Sequence, residues 1–533
     1  MRGDMLNRGY SSILLTLGLA MVCNAAPPSV TTLYPAGGQR GTTFDITATG
    51  TFDLWPVKVW VSHSGIIAKA ATDKGKINLT IAADVPLGVH YLRFHNKDGA
   101  DALRPIIVGT LPEVLEREPN DNTTTAQLLE TSSIVNGRLA KSGDVDCFAM
   151  KLKMGQTLIA SIMANTTLGS PMDSVLQIVD TAGTVLCQNH DYYGLDPQID
   201  FTAPKDGLYI ARFFAFPSQP DSTIRFAGGD AYIYRLTLTT GPFLDYALPL
   251  SIANQSSDSV LVQGWNIPEI VRSVKLLSTE SSTSVVTIVN AANSVVIQRE
   301  PHPCYNVTTQ PLQQIFDTPF TLSGRVASAT SHHRFRGNKG KALSIRIKVG
   351  TPDRVLTPVL RILDNDGKQL ARVEPPTLSG DCETTFFPAT DGVFQVEVMD
   401  LYGKTGPRFV YALHVVPVEP DFGLTVTIDR FLVLSGKPLD VPVTIVKKSG
   451  FKQEIEITAT NLPPGVTATP VPSVGKTDSA VVTLRFTAEK MAASFPFQII
   501  GTIKGLGKPS QIAEVAGTTS DIPNVNLWMS VKD

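Results

Sequence analysis

The sequence is poor in the residues and motifs that most often mark a catalytic or zinc-binding centre. Its 533 residues include 5 Cys and 8 His, and they contain no Cys-x-x-Cys, His-Glu-x-x-His, Gly-x-Ser-x-Gly or phosphate-binding loop. These absences argue against a zinc site, a metalloprotease and an α/β-hydrolase. A cryptic hydrolase with a Ser-His-Asp site assembled from distant residues stays open, because such sites are defined by geometry.

Strong charge of one sign and long apolar runs are also missing. The 46 Lys and Arg nearly balance the 48 Asp and Glu, so no basic field is available to bind nucleic acid. After the N-terminal segment, no apolar run reaches the about 20 residues that a membrane-spanning helix needs. The 41 Gly and 37 Pro are spread along the chain. We therefore expect a folded, turn-rich protein that neither binds nucleic acid nor spans a membrane.

The N-terminus has the pattern of a signal peptide. Arg2 and Arg8 precede an apolar run at residues 13–22, and small residues up to Ala25 offer a cleavage site. A membrane anchor is the alternative, but it would need about twice this apolar length. We predict a signal peptide at residues 1–25 and an exported protein of the periplasm, the cell surface or the extracellular space.

Four cysteines remain after removal of the signal peptide: Cys147, Cys187, Cys304 and Cys382. An even number in an exported chain permits two disulfides, with three possible pairings. A Cys147–Cys187 bridge is slightly favoured because both residues fall in one predicted domain. Buried free thiols are the alternative.

Alternating apolar and polar residues dominate the chain. Leu343, Ile345, Ile347 and Val349 alternate with polar residues, as expected for a half-buried strand. Turn sequences such as Asp366-Gly367 separate these runs, and no long stretch has helical periodicity after the signal segment. The pattern predicts an all-β protein of tandem β-sandwich domains in series.

Two parts of the chain repeat one another. Asn136-Gly137-Arg138-Leu139 reappears as Ser323-Gly324-Arg325-Val326, and a phenylalanine follows the glycine by eleven residues in each case, at Phe148 and Phe335. Two copies of one β domain, at about 112–241 and 310–417, account for this tandem repeat.

The first copy carries a set of short motifs in a fixed order. They are Glu116-Arg117-Glu118-Pro119-Asn120-Asp121, Asn136-Gly137, Gly143-Asp144-Val145-Asp146-Cys147-Phe148, Asp180 with Gly183, and Asp200-Phe201-Thr202-Ala203-Pro204 with Asp206-Gly207-Leu208-Tyr209. The set resembles the bacterial pre-peptidase C-terminal (PPC) domain, and the second copy resembles it more weakly. The resemblance implies a jelly-roll-like β-sandwich, a fold found beside secreted peptidases and in exported proteins without a peptidase.

The flanking segments resemble other extracellular sandwiches. Residues 29–110 are similar to an immunoglobulin-like IPT/TIG domain, and residues 242–305 to a small immunoglobulin-like β domain. Residues 420–517 resemble the immunoglobulin-like modules that are appended to exported bacterial enzymes. We expect residues 518–533 to form a loosely ordered tail.

The strongest chemical pattern is acidic. Two neighbouring segments of the first copy supply six oxygen-bearing side chains: Glu116, Glu118, Asn120 and Asp121, then Asp144 and Asp146. Calcium prefers six to eight such oxygens. In collagenase PPC domains, similar acidic runs bind calcium between the leading linker and this loop, so the resemblance implies a structural calcium site at these six residues. A solvated acidic linker is the alternative.

The second copy is expected to lack this metal. Ser331 and His333 stand where the first copy has Asp144 and Asp146, and Pro301-His302-Pro303 is predicted to replace the acidic run. Adjacent residues of a strand point to opposite faces, so His332 and His333 are interpreted as an exposed strand end.

These features predict an exported, non-catalytic, multidomain protein that binds extracellular protein or polysaccharide or has a structural role. An accessory or remnant of a secreted peptidase, supplying substrate binding to a catalytic partner, is the alternative. The resemblance to collagenase PPC domains, which bind collagen through surface aromatics, suggests three candidate ligand contacts by approximate position and without a matching motif: Tyr192, Tyr193 and Tyr209.

Overall fold

A computed structural model describes residues 26–219, 222, 225–279, 281–307, 314–377, 380–473, 479–490, 494–504, 509–516 and 525–532. Strands make up nearly all of its regular structure; the described residues include one short α-helix, Asn165–Leu168, and one 3₁₀ turn, Glu269–Val271. The prediction of an all-β fold is confirmed. The predicted signal peptide lies outside the described residues. No helix in the described part of the chain is long and apolar enough to cross a bilayer.

The first pair of sheets, module 1, follows the orders β1-β3-β6-β5 and β2-β9-β7-β4, with β8 pairing β7. Its strands are β1 (Ser29–Tyr34), β2 (Gly37–Gln39), β3 (Thr43–Thr51), β4 (Lys58–Val61), β5 (Ile66–Ala70), β6 (Lys76–Ile81), β7 (Gly88–Asn96), β8 (Gly99–Ala100) and β9 (Arg104–Gly109). Their inward residues, such as Ile77, Leu79 and Ile81 of β6, form one apolar core.

Module 2 has two five-stranded sheets, β10-β12-β19-β14-β17 and β11-β13-β18-β15-β16. Its strands are β10 (Glu113–Leu115), β11 (Gln127–Leu129), β12 (Ser133–Arg138), β13 (Asp146–Leu152), β14 (Thr157–Met163), β15 (Met172–Val179), β16 (Val185–Asn189), β17 (Gln198–Thr202), β18 (Gly207–Pro217) and β19 (Ile233–Thr239). The helix α1 (Asn165–Leu168) joins β14 to β15. Phe148, Phe213 and Tyr234 lie in its core.

Module 3 is smaller, with sheets β20-β22-β23 and β21-β25-β24. Its strands are β20 (Phe243–Leu248), β21 (Ser251–Ala253), β22 (Ser259–Trp265), β23 (Ser273–Lys275), β24 (Thr283–Val286) and β25 (Val295–Glu300). A separate core around Val260, Val262 and Ile297 holds the two sheets together.

Module 4 repeats module 2 strand for strand, with sheets β26-β28-β35-β30-β33 and β27-β29-β34-β31-β32. Its strands are β26 (Cys304–Asn306), β27 (Ile315–Phe316), β28 (Phe320–Arg325), β29 (Ser331–Gly337), β30 (Leu343–Val349), β31 (Pro358–Leu363), β32 (Gln369–Val373), β33 (Cys382–Phe386), β34 (Gly392–Asp400) and β35 (Val410–Pro417). In both modules the first strand pairs in parallel with the third, β10 with β12 in module 2 and β26 with β28 in module 4.

The repeated glycine has a packing reason. Gly137 pairs with Tyr234 on the next strand, and Gly324 pairs with Tyr411 in the same way. In each module the tyrosine ring lies over the glycine, where a Cβ atom would collide with it. A side chain at either position would displace the ring from the core.

Module 5 corrects the prediction of a loose tail. Its sheets follow β40-β42-β38-β36-β45 and β37-β46-β43-β39-β41, with β44 pairing β43. The strands are β36 (Asp421–Val426), β37 (Arg430–Leu434), β38 (Leu439–Lys448), β39 (Ile455–Thr460), β40 (Val466–Thr469), β41 (Val471–Ser473), β42 (Ser479–Ala488), β43 (Ser494–Ile503), β44 (Pro509–Ile512), β45 (Glu514–Val515) and β46 (Leu527–Lys532). The prediction was wrong for β46, which lies between β37 and β43 and buries Leu527, Met529 and Val531 in the core.

Modules 1 and 5 are in contact, so the chain is not a simple series of separate units. Arg93 of module 1 forms an ion pair with Asp429 at the start of module 5, and Lys532 of β46 pairs with Asp98. The Trp528 ring packs against Trp60 of module 1, with ring centroids 6.2 Å apart. That the predicted domain boundaries delimit independently folding units stays a prediction.

The four cysteines are free thiols in this structure. Cys147 lies on β13 and Cys187 on β16, and two strands, β18 and β15, separate them in the sheet. Three strand spacings of about 4.8 Å separate such positions, well beyond the reach of a disulfide. The favoured Cys147–Cys187 pairing was therefore wrong, although both residues do lie in module 2.

Candidate metal centre

The first predicted ligand, Glu116, is fixed where β10 leaves its sheet. Its backbone N–H donates to the carbonyl of Asn136 at 3.0 Å, and its Oε2 accepts the backbone N–H of Arg138 at 2.7 Å. The half-buried carboxylate therefore lies against β12. Burial is the largest cause of a raised Glu116 pKa, and neighbouring Glu118 raises the pKa further.

Asn120 connects the acidic segment to the start of β13. It is fully buried, its carbonyl accepts the backbone N–H of Cys147 at 3.0 Å, and its own N–H donates to Glu118 Oε2 at 3.0 Å. The side-chain oxygen of Asn120 faces only other acceptors, Glu118 Oε2 at 3.0 Å and Asp146 Oδ1 at 3.3 Å. Turning the amide would relieve this contact with two hydrogen bonds, and a cation between the oxygens would relieve it as well.

Asp146 is a fully buried acid at the start of β13. Tyr234 donates its hydroxyl hydrogen to Asp146 Oδ2 at 2.6 Å. Burial raises the pKa of Asp146 far above its usual range, and the charge of Glu116 raises it further. A negative charge here is costly unless a proton or a cation compensates it.

Three of the six predicted ligands converge. One oxygen each from Glu116, Glu118 and Asp146 lies within 4.8 Å of the other two. Among the described residues, no lysine or arginine forms a salt bridge with any of the three. Nearby Arg138 instead pairs with Asp230 at 3.1 Å.

The other two acids lie beside this cluster and share a lysine. Lys141 Nζ is 3.8 Å from Asp121 Oδ1 and 3.9 Å from Asp144 Oδ1. Asp144 is fully buried; its Oδ2 accepts the backbone N–H of Ala140, but its Oδ1 has no hydrogen-bond partner. The six residues therefore form one acidic region with two parts, and their role as metal ligands stays a prediction.

The residues present fit a calcium ion in chemistry and in environment. All six offer oxygen, the donor that calcium prefers, and backbone carbonyls and water can complete six to eight ligands. A dication would neutralise the buried carboxylates of Glu116 and Asp146 and bind their oxygens together with one of Glu118.

Module 4 has a different arrangement at the matching position. His333 takes the place of Asp146, and its Nε2 makes a short 2.5 Å hydrogen bond with the hydroxyl of Tyr411, the counterpart of Tyr234. His333 is buried, so the interpretation of an exposed strand end was wrong for it, whereas the His332 side chain is about half exposed.

The strand register also corrects the position of the replaced acidic run. Leu115 pairs with Asn136 in module 2, and Asn306 pairs with the matching Ser323 in module 4. The counterpart of the acidic run therefore begins at Val307 and continues into residues 308–313, which lie outside the described residues. Pro301-His302-Pro303 precedes β26 and occupies a different place.

The three candidate tyrosines have different surroundings. Tyr209 lies in the core of module 2, so its assignment as a ligand contact was wrong. Tyr192 donates its hydroxyl hydrogen to Asp245 at 3.1 Å and accepts a hydrogen bond from Arg408 at 2.6 Å. Tyr193 is 38% exposed.

Sequence reasoning missed the cavity that Tyr192 and Tyr193 help to line. It has a volume of about 500 Å³, and modules 1, 2, 3 and 4 all contribute to its wall, through residues such as Ile107, Thr237, Phe243 and Lys348. These residues are far apart along the chain. Because only the docking of modules brings them together, no local motif could have indicated the cavity.

No family model matches the chain. A probable subtilase-type serine protease of Deinococcus radiodurans is 34% identical over 95 residues, which is 17% of this chain and 13% of that protein. The chain thus spans about an eighth of the length of that relative.

Similar solved structures include PPC and carbohydrate-binding proteins. The PPC domain of a Bacillus anthracis collagenase aligns over 20% of this chain and 98% of its own length, with 14% identity and a TM-score of 0.17. The Bacteroides ovatus protein SGBP-B, solved with a mixed-linkage heptasaccharide, aligns over 72% of this chain and 73% of its own, with 11% identity and a TM-score of 0.15.

Proposed function

We propose that the protein is an exported, non-catalytic binding protein that recognises an extracellular protein or polysaccharide. The observation that carries this proposal is the cavity of about 500 Å³ to which four modules contribute. Concave sites at module interfaces are common places for ligands, because they bury much of a ligand's surface. Fold alone does not give function, so the proposal rests on this site.

The wall of the cavity offers both kinds of contact that a saccharide ring or a peptide needs. Tyr193 presents part of its ring for stacking, and the largely buried Phe243 and Ile107 add apolar atoms to the wall. Asp196 and Lys348 bring opposite charges to the same wall. A neutral or mixed-charge macromolecule suits this combination better than a strongly anionic one.

An array of glycans and extracellular proteins, probed with the mature chain, tests the proposal. Tyr193→Ala and Lys348→Ala should weaken the binding of any ligand found, because both residues line the cavity. Tyr402→Ala is the control, since Tyr402 is an exposed tyrosine that does not line the cavity. Absence of any ligand, or equal binding by Tyr193→Ala and Tyr402→Ala, would contradict the proposal.

We also propose that the acidic region of module 2 binds a structural calcium ion. Glu116, Glu118, Asn120 and Asp146 would supply the inner oxygens, with Asp121 and Asp144 adding charge or ligands. Bound calcium would neutralise the buried acids and fasten the segment after β10 to the start of β13. Asp144 Oδ1, which is buried, has no hydrogen bond and lies 3.9 Å from Lys141 Nζ, supports this proposal.

A second candidate function is an accessory or remnant of a secreted peptidase. The 34% identical stretch in the Deinococcus radiodurans protease favours it, although that stretch is 17% of this chain. In that case a peptidase from the same organism should co-purify with the mature chain and cleave a bound substrate faster in its presence. Ligand binding without a peptidase partner would favour the first proposal, and turnover of a broad substrate panel by the chain alone would favour a hydrolase.

A further inference from the structure

We infer that Glu300, His302 and His414 form a second metal site, for a divalent transition metal such as Zn²⁺, where module 3 meets module 4. One oxygen of Glu300 and one nitrogen from each imidazole all lie within 4.8 Å of one another. The site is separate from the acidic region of module 2 and has different donors.

The local chain geometry places Glu300 and His302 side by side. Glu300 ends β25 of module 3, and His302 follows two residues later between Pro301 and Pro303. Proline restricts the preceding residue to an extended conformation. The chain bends at Pro301 and His302, and the Glu300 and His302 side chains reach the same small space.

His414 approaches from module 4. It lies on β35, and its Nδ1 is 3.7 Å from Glu300 Oε1. Thr321 of β28 lies between the two imidazoles, with its hydroxyl 2.8 Å from His302 Nε2 and 3.0 Å from His414 Nδ1. Both imidazole nitrogens therefore face one small polar space.

The spacing is close to what a bound ion needs. Zinc lies about 2.0–2.2 Å from nitrogen and oxygen ligands in a tetrahedral arrangement, so two donors to one ion are about 3.3–3.6 Å apart. Side-chain adjustments of about 1 Å bring donors that lie within 4.8 Å of one another to this range. The ion would replace the hydrogen bonds that join the imidazoles through Thr321, and the hydroxyl would remain next to it.

The electrostatic environment favours metal-binding forms of the ligands. Burial is the largest cause that lowers the pKa of His302 and of His414. Nearby Arg346 is paired with Asp381 at 2.7 Å, and Glu300 Oε1, 3.7 Å from His414 Nδ1, offers a countercharge for a cation.

The donor set selects the class of metal. Two imidazoles and one carboxylate suit zinc, copper or nickel, whereas calcium and magnesium prefer oxygen alone. The Glu300 and His414 side chains keep 19% and 17% of their surface exposed, so water can reach the site and complete the coordination. Because Glu300 belongs to a sheet of module 3 and His414 to one of module 4, a bound ion would fasten the two modules together.

Titration of the metal-free mature chain with ZnCl₂ by calorimetry, followed by Co²⁺ absorption spectra, tests the inference. We expect one zinc per chain, with affinity reduced by more than about tenfold in His302→Ala, His414→Gln and Glu300→Gln. Calcium should not compete, and Asp146→Asn should bind zinc normally.

His190→Ala and His332→Ala are the matched controls, because both histidines are exposed and lie outside the site. The inference would be overturned if the wild-type chain bound no zinc, if the three site variants bound zinc as tightly as wild type, or if either control lost zinc binding. If His414→Gln unfolds, His302→Ala decides the outcome, because His302 lies outside the sheets.

Discussion

Arg93 and Asp429 are 336 positions apart in the chain and form a buried ion pair, with 2.7 Å between Nη2 and Oδ2. Arg93 is 1% exposed, and it also donates to the carbonyls of Asp101 at 2.9 Å and Asn526 at 3.0 Å. Its guanidinium lies 5.7 Å from the centre of the Trp528 ring. Groups from both ends of the described chain thus accept hydrogen bonds from one buried charge.

Removal of Asp429 should weaken this contact strongly. Asp429→Ala leaves Arg93 buried and without its countercharge, a change that typically costs about 3–5 kcal/mol. We expect faster hydrogen exchange in β46 and a lower melting temperature. Asp440→Ala, which breaks the exposed Asp440–Arg485 pair of the same module, is the control and should leave both unchanged. Equal effects of the two variants would rule out a stabilising role for the Arg93–Asp429 pair.

Calcium should raise the melting temperature of module 2. A ligand that binds only the folded form adds RT ln(1 + [L]/Kd), about 2.7 kcal/mol at a hundredfold excess over Kd. Asp146→Asn should lose most of this gain, yet be at least as stable as wild type without calcium because it removes a buried charge. Asp317→Asn, at an exposed acid of module 4, should keep the gain. Superimposable calorimetric traces of the wild-type chain with calcium and with chelator would show that the acidic residues are only a solvated linker and bind no calcium.

Acid should destabilise module 4 through His333. Burial lowers its folded-state pKa to about 4, below the usual value of 6.5, so the unfolded chain binds more protons between these values. His333 does not affect the free energy of unfolding well above pH 6.5, and it lowers this free energy as pH falls towards 4, by about 2.5 kcal/mol at pH 4.5. His333→Gln should flatten this part of the stability profile, measured by hydrogen exchange in β29, and His190→Ala should not. A profile that His333→Gln leaves unchanged would show that other groups cause the acid sensitivity.

The glycine under each repeated tyrosine should resist substitution. Gly137→Ala and Gly324→Ala place a Cβ atom against Tyr234 and Tyr411, and overpacking of this kind costs about 1–3 kcal/mol. Gly392→Ala is the control, because no atom lies within 4 Å of its added Cβ and its φ is not positive. Denaturant unfolding of the three variants compares them; a Gly137→Ala chain as stable as Gly392→Ala would contradict the packing argument.

Local patterns were enough to indicate strands and the repeat. The alternation of Leu343, Ile345 and Ile347 reflects a sheet with one buried face, and the glycine of each copy reflects the ring above it. The same reasoning failed where partners are distant in sequence. The strand β46 pairs with β37, about a hundred residues earlier, and a six-residue segment alone gives no sign of such a partner.

The candidate sites show the same limit. Acidic residues at near-alternate positions singled out Glu116, Glu118 and Asp146, which do lie together, but not the lysine that Asp121 and Asp144 share. The sequence comparison matched His302 to the acidic run, because the parallel pairing of β26 with β28 cannot be predicted from the sequence. The proximity of His302 to His414 follows only from that pairing.

The contact between modules 1 and 5 depends on the modules between them. A connecting chain turns the meeting of two surfaces into an intramolecular event, with an effective concentration that often reaches millimolar values. The Arg93–Asp429 contact is thereby formed within one molecule. If cleavage between modules also separated the two halves of the chain, the same contact would become bimolecular, and its occupancy would then fall on dilution.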